Sequence, residues 1–253
     1  VSLILSRRRL IRAGVASAGG LLLPGCDKLF ENPTFRGTLE SAEDLHRATQ
    51  RTLGRDALAR EYREADMSPQ FRANGSREVA DPAYRQHLAQ GFANWSLRVD
   101  GLVERPIAVP LQALRDLPQR AQITRHDCVE GWSAIGRWQG PRLGLLLDMA
   151  RLKPEARYLV FHCADLYHGK PYYESIDLVD AFHPQTILAW AMNGKPLEEA
   201  HGAPLRLRVE RQLGYKHAKF VARIEAVASL EGIHGGKGGY WEDNGAYAWY
   251  AGI

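Results

Sequence analysis

Tyr158-Leu159-Val160-Phe161-His162-Cys163 is an almost unbroken apolar run, closed off by Ala164-Asp165. It is too short for a buried helix, and its β-branched and aromatic content marks it as a buried strand. Similar short runs follow at Thr186–Ala191, Leu205–Val209 and Phe220–Ile224, and upstream Trp95–Asp100 alternates apolar with polar residues. Between them lie only short helical candidates, Leu111–Leu117 and Leu143–Met149. A parallel βαβ crossover needs a dozen or more residues with a helix between each pair of strands, and this spacing does not provide them. The expected fold is therefore a single strand-rich α+β domain with N-terminal helices. Asp100-Gly101 and Asn193-Gly194 read as tight hairpin turns. The glycine-rich tail Gly232–Gly239 carries Tyr240, Trp241, Tyr247, Trp249 and Tyr250 behind it, so it is expected to pack onto the body.

The residues before Trp95 differ in character. Ser41 to about Asp66 is polar, opens on a capping-box-like Ser41-Ala42-Glu43-Asp44, and carries Leu45, Leu53, Leu58 and Tyr62 at loosely helical spacing, with Gly54 as an interruption. Two short helices wrapped over the body are expected there, followed by a loop from Ser68 to Gly75. At the start, Ser6-Arg7-Arg8-Arg9-Leu10-Ile11-Arg12 precedes an apolar stretch from Ala13 to Leu23 and then Pro24-Gly25-Cys26. That stretch is shorter than the roughly 18 apolar residues of a spanning helix and fits a signal-peptide core. The arginine run resembles a twin-arginine export signal, and Leu23-Pro24-Gly25-Cys26 resembles a lipobox, so Cys26 is a candidate lipid anchor. The expected organisation is a signal peptide over 1–25, a polar helical extension over 26–90 and the main domain over 91–253.

Composition adds exclusions. With 45% apolar and 25% charged residues the chain is neither disordered nor a multi-span membrane protein. The net charge of +4 equals the contribution of Arg7, Arg8, Arg9 and Arg12, so the rest of the chain is neutral and offers no basic surplus for nucleic acid. Three cysteines make no disulfide framework.

Among those cysteines, Cys128 carries the chemical signal. It lies in Thr124-Arg125-His126-Asp127-Cys128-Val129-Glu130-Gly131-Trp132, behind a strand candidate and beside two residues, Arg125 and His126, able to lower a thiol pKa. Such a cysteine is either a nucleophile paired with His126 or a soft ligand to a metal. The sequence has no C-x-x-C, C-x-x-C-H or H-E-x-x-H run. A metal bringing most of its ligands on an organic cofactor would need one protein thiolate only.

The pieces that surround Cys128 resemble, in order, the sulfite oxidase family of molybdopterin enzymes, in its bacterial periplasmic branch. They are Val99–Pro106, Cys128-Val-Glu-Gly-Trp132, Trp138-Gln-Gly-Pro141, Asp165-Leu-Tyr167, Leu188–Leu197, His201-Gly-Ala-Pro-Leu-Arg206 and Gly214-Tyr-Lys-His-Ala-Lys219. The resemblance implies the molybdopterin-binding fold of that family and a mononuclear molybdenum held by one pyranopterin and the Cys128 thiolate, which is both the metal ligand and the catalytic residue. It further implies that Asn74, Cys163, His201, Arg206, His217, Ala218 and Lys219 contact the cofactor, with Gly202 and Pro204 setting the turn that aims Arg206. Tyr167 is expected toward the substrate side; Tyr172 and Tyr173 read as sheet aromatics.

Sulfite oxidases usually follow the ligand cysteine with a basic run, whereas this chain has Val129-Glu130-Gly131-Trp132. A carboxylate there disfavours a doubly charged anion. The expected activity is two-electron oxygen-atom transfer, favouring reduction of a sulfoxide or related oxide, small or protein-bound, over sulfite oxidation. Other readings are a sulfite dehydrogenase, a cysteine hydrolase using Cys128 and His126, and a non-catalytic lipoprotein. With no haem-attachment run in the sequence, electrons are expected from a membrane b-type cytochrome or a periplasmic haem protein. The expected location is the periplasm, tethered to the inner membrane through Cys26.

Overall fold

The computed structural model describes residues 32–245 and 247–253. The leader, its arginine run and Cys26 lie outside the described residues. The chain divides into two units, one ending at Leu53 and the other spanning Gly54–Ile253.

In the first unit, helix α1 spans Pro33–Leu53. Asn32 caps it, its side-chain oxygen accepting from the backbone N–H of Thr34 and Phe35 at 2.9 and 3.3 Å, with Pro33 at the first helical position. The expected start at Ser41 is corrected: Ser41 sits inside the helix and its hydroxyl donates to the Thr38 carbonyl. Leu45 and Leu53 are exposed, so the loose leucine spacing marks no buried stripe.

The second expected helix is also corrected. Beyond Gly54 the chain runs extended, bridging Glu61 to Thr124 and donating from Tyr62 N–H to the Ile123 carbonyl at 2.8 Å. Pairing with a strand edge satisfies this backbone better than an isolated turn with Leu58 exposed would. The stretch 68–75 is a loop, and α2, Pro82–Ala89, follows with Asp81 as its cap.

Three sheets build the body. The largest has the order β2-β1-β11-β5-β6, from β1 (Ser96–Gly101), β2 (Ile107–Pro110), β5 (Tyr158–Tyr167), β6 (Lys170–Asp177) and β11 (Val221–Val227). Only β1 and β11 pair parallel; the other neighbours are antiparallel. A second sheet has the order β3-β4-β8-β9, from β3 (Gln119–Asp127), β4 (Ser133–Pro141), β8 (Ala191–Met192) and β9 (Lys195–Pro196). A third pairs β7 (Ile187–Ala189) with β10 (Arg206–Arg208). Helices α3 (Leu111–Asp116), α4 (Leu143–Ala150), α5 (Leu178–Ala181) and α6 (Tyr240–Gly245) are short. The expected strand at Thr186–Ala191 is thus two strands in different sheets, because the chain leaves one sheet at Trp190 and enters the other.

The continuous apolar reading of β5 has a direct cause. Leu159 and Phe161 enter the main core with Leu97, Val99 and Ile224, while Val160 on the opposite face meets Tyr173 and Tyr240. Both faces are covered, so period-two alternation disappears. Helix α4 closes the core with Leu143, Leu146, Leu147 and Ala150, which share one face at intervals of three and four. Asn193 and Gly194 both have positive φ and turn β8 into β9, as expected. Asp100-Gly101 does not make a two-residue hairpin: Val99 pairs with Ile107, and Gly101 lies against Ala226, where a Cβ would stand 2.4 Å from the carbonyl oxygen.

Candidate active site

The β3–β4 hairpin pairs from Gln119 with Pro141 to Asp127 with Ser133, and Cys128 is the first residue beyond its paired end. Cys128 N–H donates to the Trp132 carbonyl at 2.9 Å and Gly131 N–H to the Cys128 carbonyl at 3.0 Å, with Gly131 at φ +85°. This tight loop presents the thiol at a cleft with a cavity of about 120 Å³. The Asn74 side-chain amide, brought in by the 68–75 loop, donates to the Cys128 sulfur at 3.4 Å.

Asn74, Cys128, Arg206, His217 and Lys219 all line this cleft. The other three residues assigned through the resemblance do not. Cys163 turns toward the Phe161 carbonyl at 3.8 Å and packs on the core, and burial pushes its thiol pKa up. Ala218 is buried, its carbonyl accepting from Leu207 N–H at 2.8 Å. His201 lies beside Arg206, which donates to its carbonyl at 3.4 Å, and its own Nε2 donates to the Phe71 carbonyl at 3.1 Å.

The electrostatics of the cleft are those of a cation site short of negative charge. Arg206 and Arg208 share one face of β10, and both guanidinium groups sit over the Trp138 ring, at 5.2 and 4.3 Å. Arg208 is neutralised by Glu210 through bonds of 2.9 and 2.6 Å. Among the described residues Arg206 has no acidic hydrogen-bond partner and its Nε has no hydrogen bond, and burial together with Arg208 pulls its pKa down to about 9. Burial and Arg206 likewise lower Lys219 to about 7. When charged, its ammonium donates to the Asn74 and Ala200 carbonyls at 2.7 and 3.0 Å and to the Ser76 carbonyl. Lys219 thereby ties the Asn74 loop to the cleft. Gly202, at φ +100°, lets the chain pass Lys219, where a Cβ would come within 2.8 Å of the lysine Cβ.

The histidines are neutral acceptors. His217 donates from Nε2 to the Gln212 carbonyl at 3.0 Å, which leaves Nδ1 bare, buried and without a partner. His126 accepts from Arg208 at 3.0 Å through Nδ1. Burial first, then the nearby arginines, holds both pKa values well below 6.5. His126 packs against Gly214, where a Cβ would be 2.4 Å from Nε2, and no hydrogen bond joins it to Cys128 among the described residues. Arg125 points away, bound to Asp127 at 2.9 Å. Neither neighbour named from the sequence therefore delivers a cation or a base to the thiol, and the hydrolase reading loses its geometry.

Several lining residues were not read as site residues from the sequence: Asp165, Tyr172, Tyr215, Trp241 and Tyr247. Asp165 is buried with one carboxylate oxygen unpartnered, and burial raises its pKa. Tyr172, expected as a sheet aromatic, and Tyr167 both face the cleft. The aromatic tail was legible as packed, though not as a cleft wall.

The donor set fits an anionic organic cofactor that brings its own metal ligands. One thiol stands at the cleft, Arg206 has no carboxylate bonded to it among the described residues, and Arg206 Nε and His217 Nδ1 lack hydrogen-bond partners there. Among the described residues no three His, Cys, Asp or Glu side chains converge to hold a bare metal ion. Such a site defines a redox protein built around a thiolate-ligated cofactor. The chain belongs to the family described as the oxidoreductase molybdopterin binding domain, whose model matches residues 85–231.

It is 35% identical over 248 residues to a putative protein-methionine-sulfoxide reductase subunit, YedZ1, of Azospira oryzae, covering 98% of this chain and 88% of that one. It is 33% identical over 152 residues to the protein-methionine-sulfoxide reductase catalytic subunit MsrP of Campylobacter jejuni, covering 54% of this chain and 51% of that relative. The chain thus spans about half the length of that MsrP relative. The sulfane dehydrogenase SoxCD of Paracoccus pantotrophus shares the fold, with a TM-score of 0.51 and 24% identity over 55% of this chain and 40% of that chain. This protein is therefore a molybdopterin-dependent oxidoreductase of the sulfite oxidase type.

Proposed function

We propose that the chain reduces an organic sulfoxide to the thioether, consuming two electrons and two protons and releasing water. The observation that carries this reading is the Cys128 thiol at a cleft whose mouth carries Glu130 and whose interior holds the cation surplus of Arg206 and Lys219. The relatives named for protein methionine sulfoxide support the substrate class.

The molybdenum cofactor, when bound, supplies the two-electron oxygen-atom exchange. Cys128 is the residue that would hold the metal, and a thiolate suits that soft centre. The Asn74 amide orients the sulfur by donating to it. Arg206 and His217 present an unused donor and an unused acceptor to the pterin and its phosphate, and Lys219 secures the loop that carries Asn74. Cys163, His201 and Ala218, which lie behind this surface, support its shape. Glu130, held by Trp132 Nε1–H at 3.2 Å, puts a carboxylate at the cleft that disfavours sulfite.

The reading extends to the cell. Ser6–Arg12 supports twin-arginine export of a folded, cofactor-loaded protein to the periplasm, and Cys26 supports a lipid tether to the inner membrane. The electron donor is then a membrane b-type cytochrome or a periplasmic haem protein. Holoprotein assayed with a reduced dye against methionine sulfoxide, other S- and N-oxides, and sulfite tests the reading. Molybdenum near one per chain with S-oxide reduction is the expected result; sulfite oxidation without S-oxide reduction overturns it.

A further inference from the structure

The family match ends at residue 231, yet the cleft is completed by residues beyond it. Trp241 and Tyr247 line the cleft and stack on each other with ring centroids 5.4 Å apart at 17°. Tyr167 meets Trp241 at 5.3 Å, extending the aromatic surface from the main sheet. Both tail residues are half-buried, with ring surface left facing the cleft.

This wall is held in place from behind. Glu242, next to Trp241, is buried against Lys216 at 2.5 Å, and the same ammonium stands 2.8 Å from Glu174 of β6. Asp243 accepts from the Tyr173 hydroxyl at 2.5 Å, and Trp249 donates to the Ser175 hydroxyl at 2.8 Å. Lys216 sits between Tyr215 and His217, two cleft residues, so the clamp fixes the tail to a segment that itself lines the cleft. Packed aromatic rings anchored through buried charges form a rigid surface, and rigid surfaces discriminate between ligands by shape.

From this arrangement we infer that Trp241 and Tyr247 are the specificity-determining residues, accepting a sulfoxide with small alkyl substituents on sulfur, such as an oxidised methionine side chain. The inference rests on the functional reading above and names its substrate surface. Polarizable sulfur and its methyl group gain contact energy against aromatic faces and edges.

The test uses molybdenum-loaded holoprotein with matched metal content in wild type, Trp241→Ala, Trp241→Phe and Tyr247→Leu. Steady-state kinetics are measured with the uncharged N-acetylmethionine sulfoxide methylamide, and product binding is followed by calorimetry with N-acetylmethionine methylamide. Trp241→Ala and Tyr247→Leu are expected to raise KM for the sulfoxide about five- to tenfold, from the scale of sulfur–aromatic contacts. Their kcat is expected to stay within about twofold. Product affinity falls in parallel, and Trp241→Phe restores most of the sulfoxide affinity. Should Trp241→Ala not fold, Tyr247→Leu and Trp241→Phe carry the test. A wild type that reduces the sulfoxide, with variants whose KM and product affinity are unchanged, overturns the assignment alone. A wild type that reduces no S-oxide overturns the functional reading and the assignment with it.

Discussion

Replacing Arg206 by methionine is expected to make the cofactor-free protein more stable and the holoprotein harder to form. The guanidinium is buried, has one bond of 3.4 Å to a carbonyl, and leaves Nε unpartnered beside Arg208. A pKa lowered from 12.5 to about 9 means that the cofactor-free cleft disfavours the charged form by about 5 kcal/mol, at about 1.4 kcal/mol per tenfold in proton affinity. Methionine keeps much of the length and the contact with Trp138 while shedding the charge. Part of the 5 kcal/mol is returned by the lost cation–π contact, so a gain of about 1–4 kcal/mol remains. Urea unfolding of protein made in a host that cannot synthesise the cofactor measures the first effect. Metal analysis of protein made in a competent host measures the second, with a loss of at least about tenfold expected for a lost charge-assisted contact. A cofactor-free variant less stable than wild type by more than about 1 kcal/mol would refute the reasoning, because the cleft would then not be short of negative charge.

The same surplus sets a pH dependence. Lys219 titrates lower in the folded chain, at about 7 against 10.5, so its penalty is full below about pH 7 and fades as pH rises toward 10.5. The cofactor-free protein should thus gain stability across that window, and Lys219→Met should flatten the gain in urea titrations at each pH. His126 and His217 are held neutral, so protons bind the unfolded chain first and stability should fall as pH drops below about 6.5, seen as a falling Tm. Lys216→Met strands Glu174 and Glu242, buried side by side with Glu174 already pushed well above the carboxylate range. It should cost about 3–5 kcal/mol in denaturant unfolding. Gly214→Ala places a methyl 2.4 Å from His126 Nε2 and should destabilise by about 1–3 kcal/mol, with displaced aromatic near-ultraviolet circular dichroism as its signature.

Residues 1–31 lie outside the described residues, and reading an export signal and a lipid anchor there rests on sequence pattern alone. In the body, short strand spacing gave the α+β class, and Cys128 stood out because a polar, charged stretch is a poor home for an inert buried thiol. The helix expected near Leu58 failed because exposed leucines at near-helical spacing carry no information about a neighbouring strand edge that offers hydrogen bonds.

What the linear order of residues determined is the inventory: one thiol in a polar hairpin loop, a histidine–arginine turn, a lysine-bearing segment and an aromatic tail. Which of these meet was decided by folding. Arg125 and His126 adjoin Cys128 in sequence, yet one turns to Asp127 and the other to Arg208, while Asn74 comes from 54 residues away to reach the sulfur. Strand pairing sets side-chain direction by register, and long-range packing selects which loops close on the same space. The aromatic wall from Trp241 and Tyr247 depends on tertiary contacts, among them the buried pairs of Lys216 with Glu174 and Glu242, that hold the tail on the body.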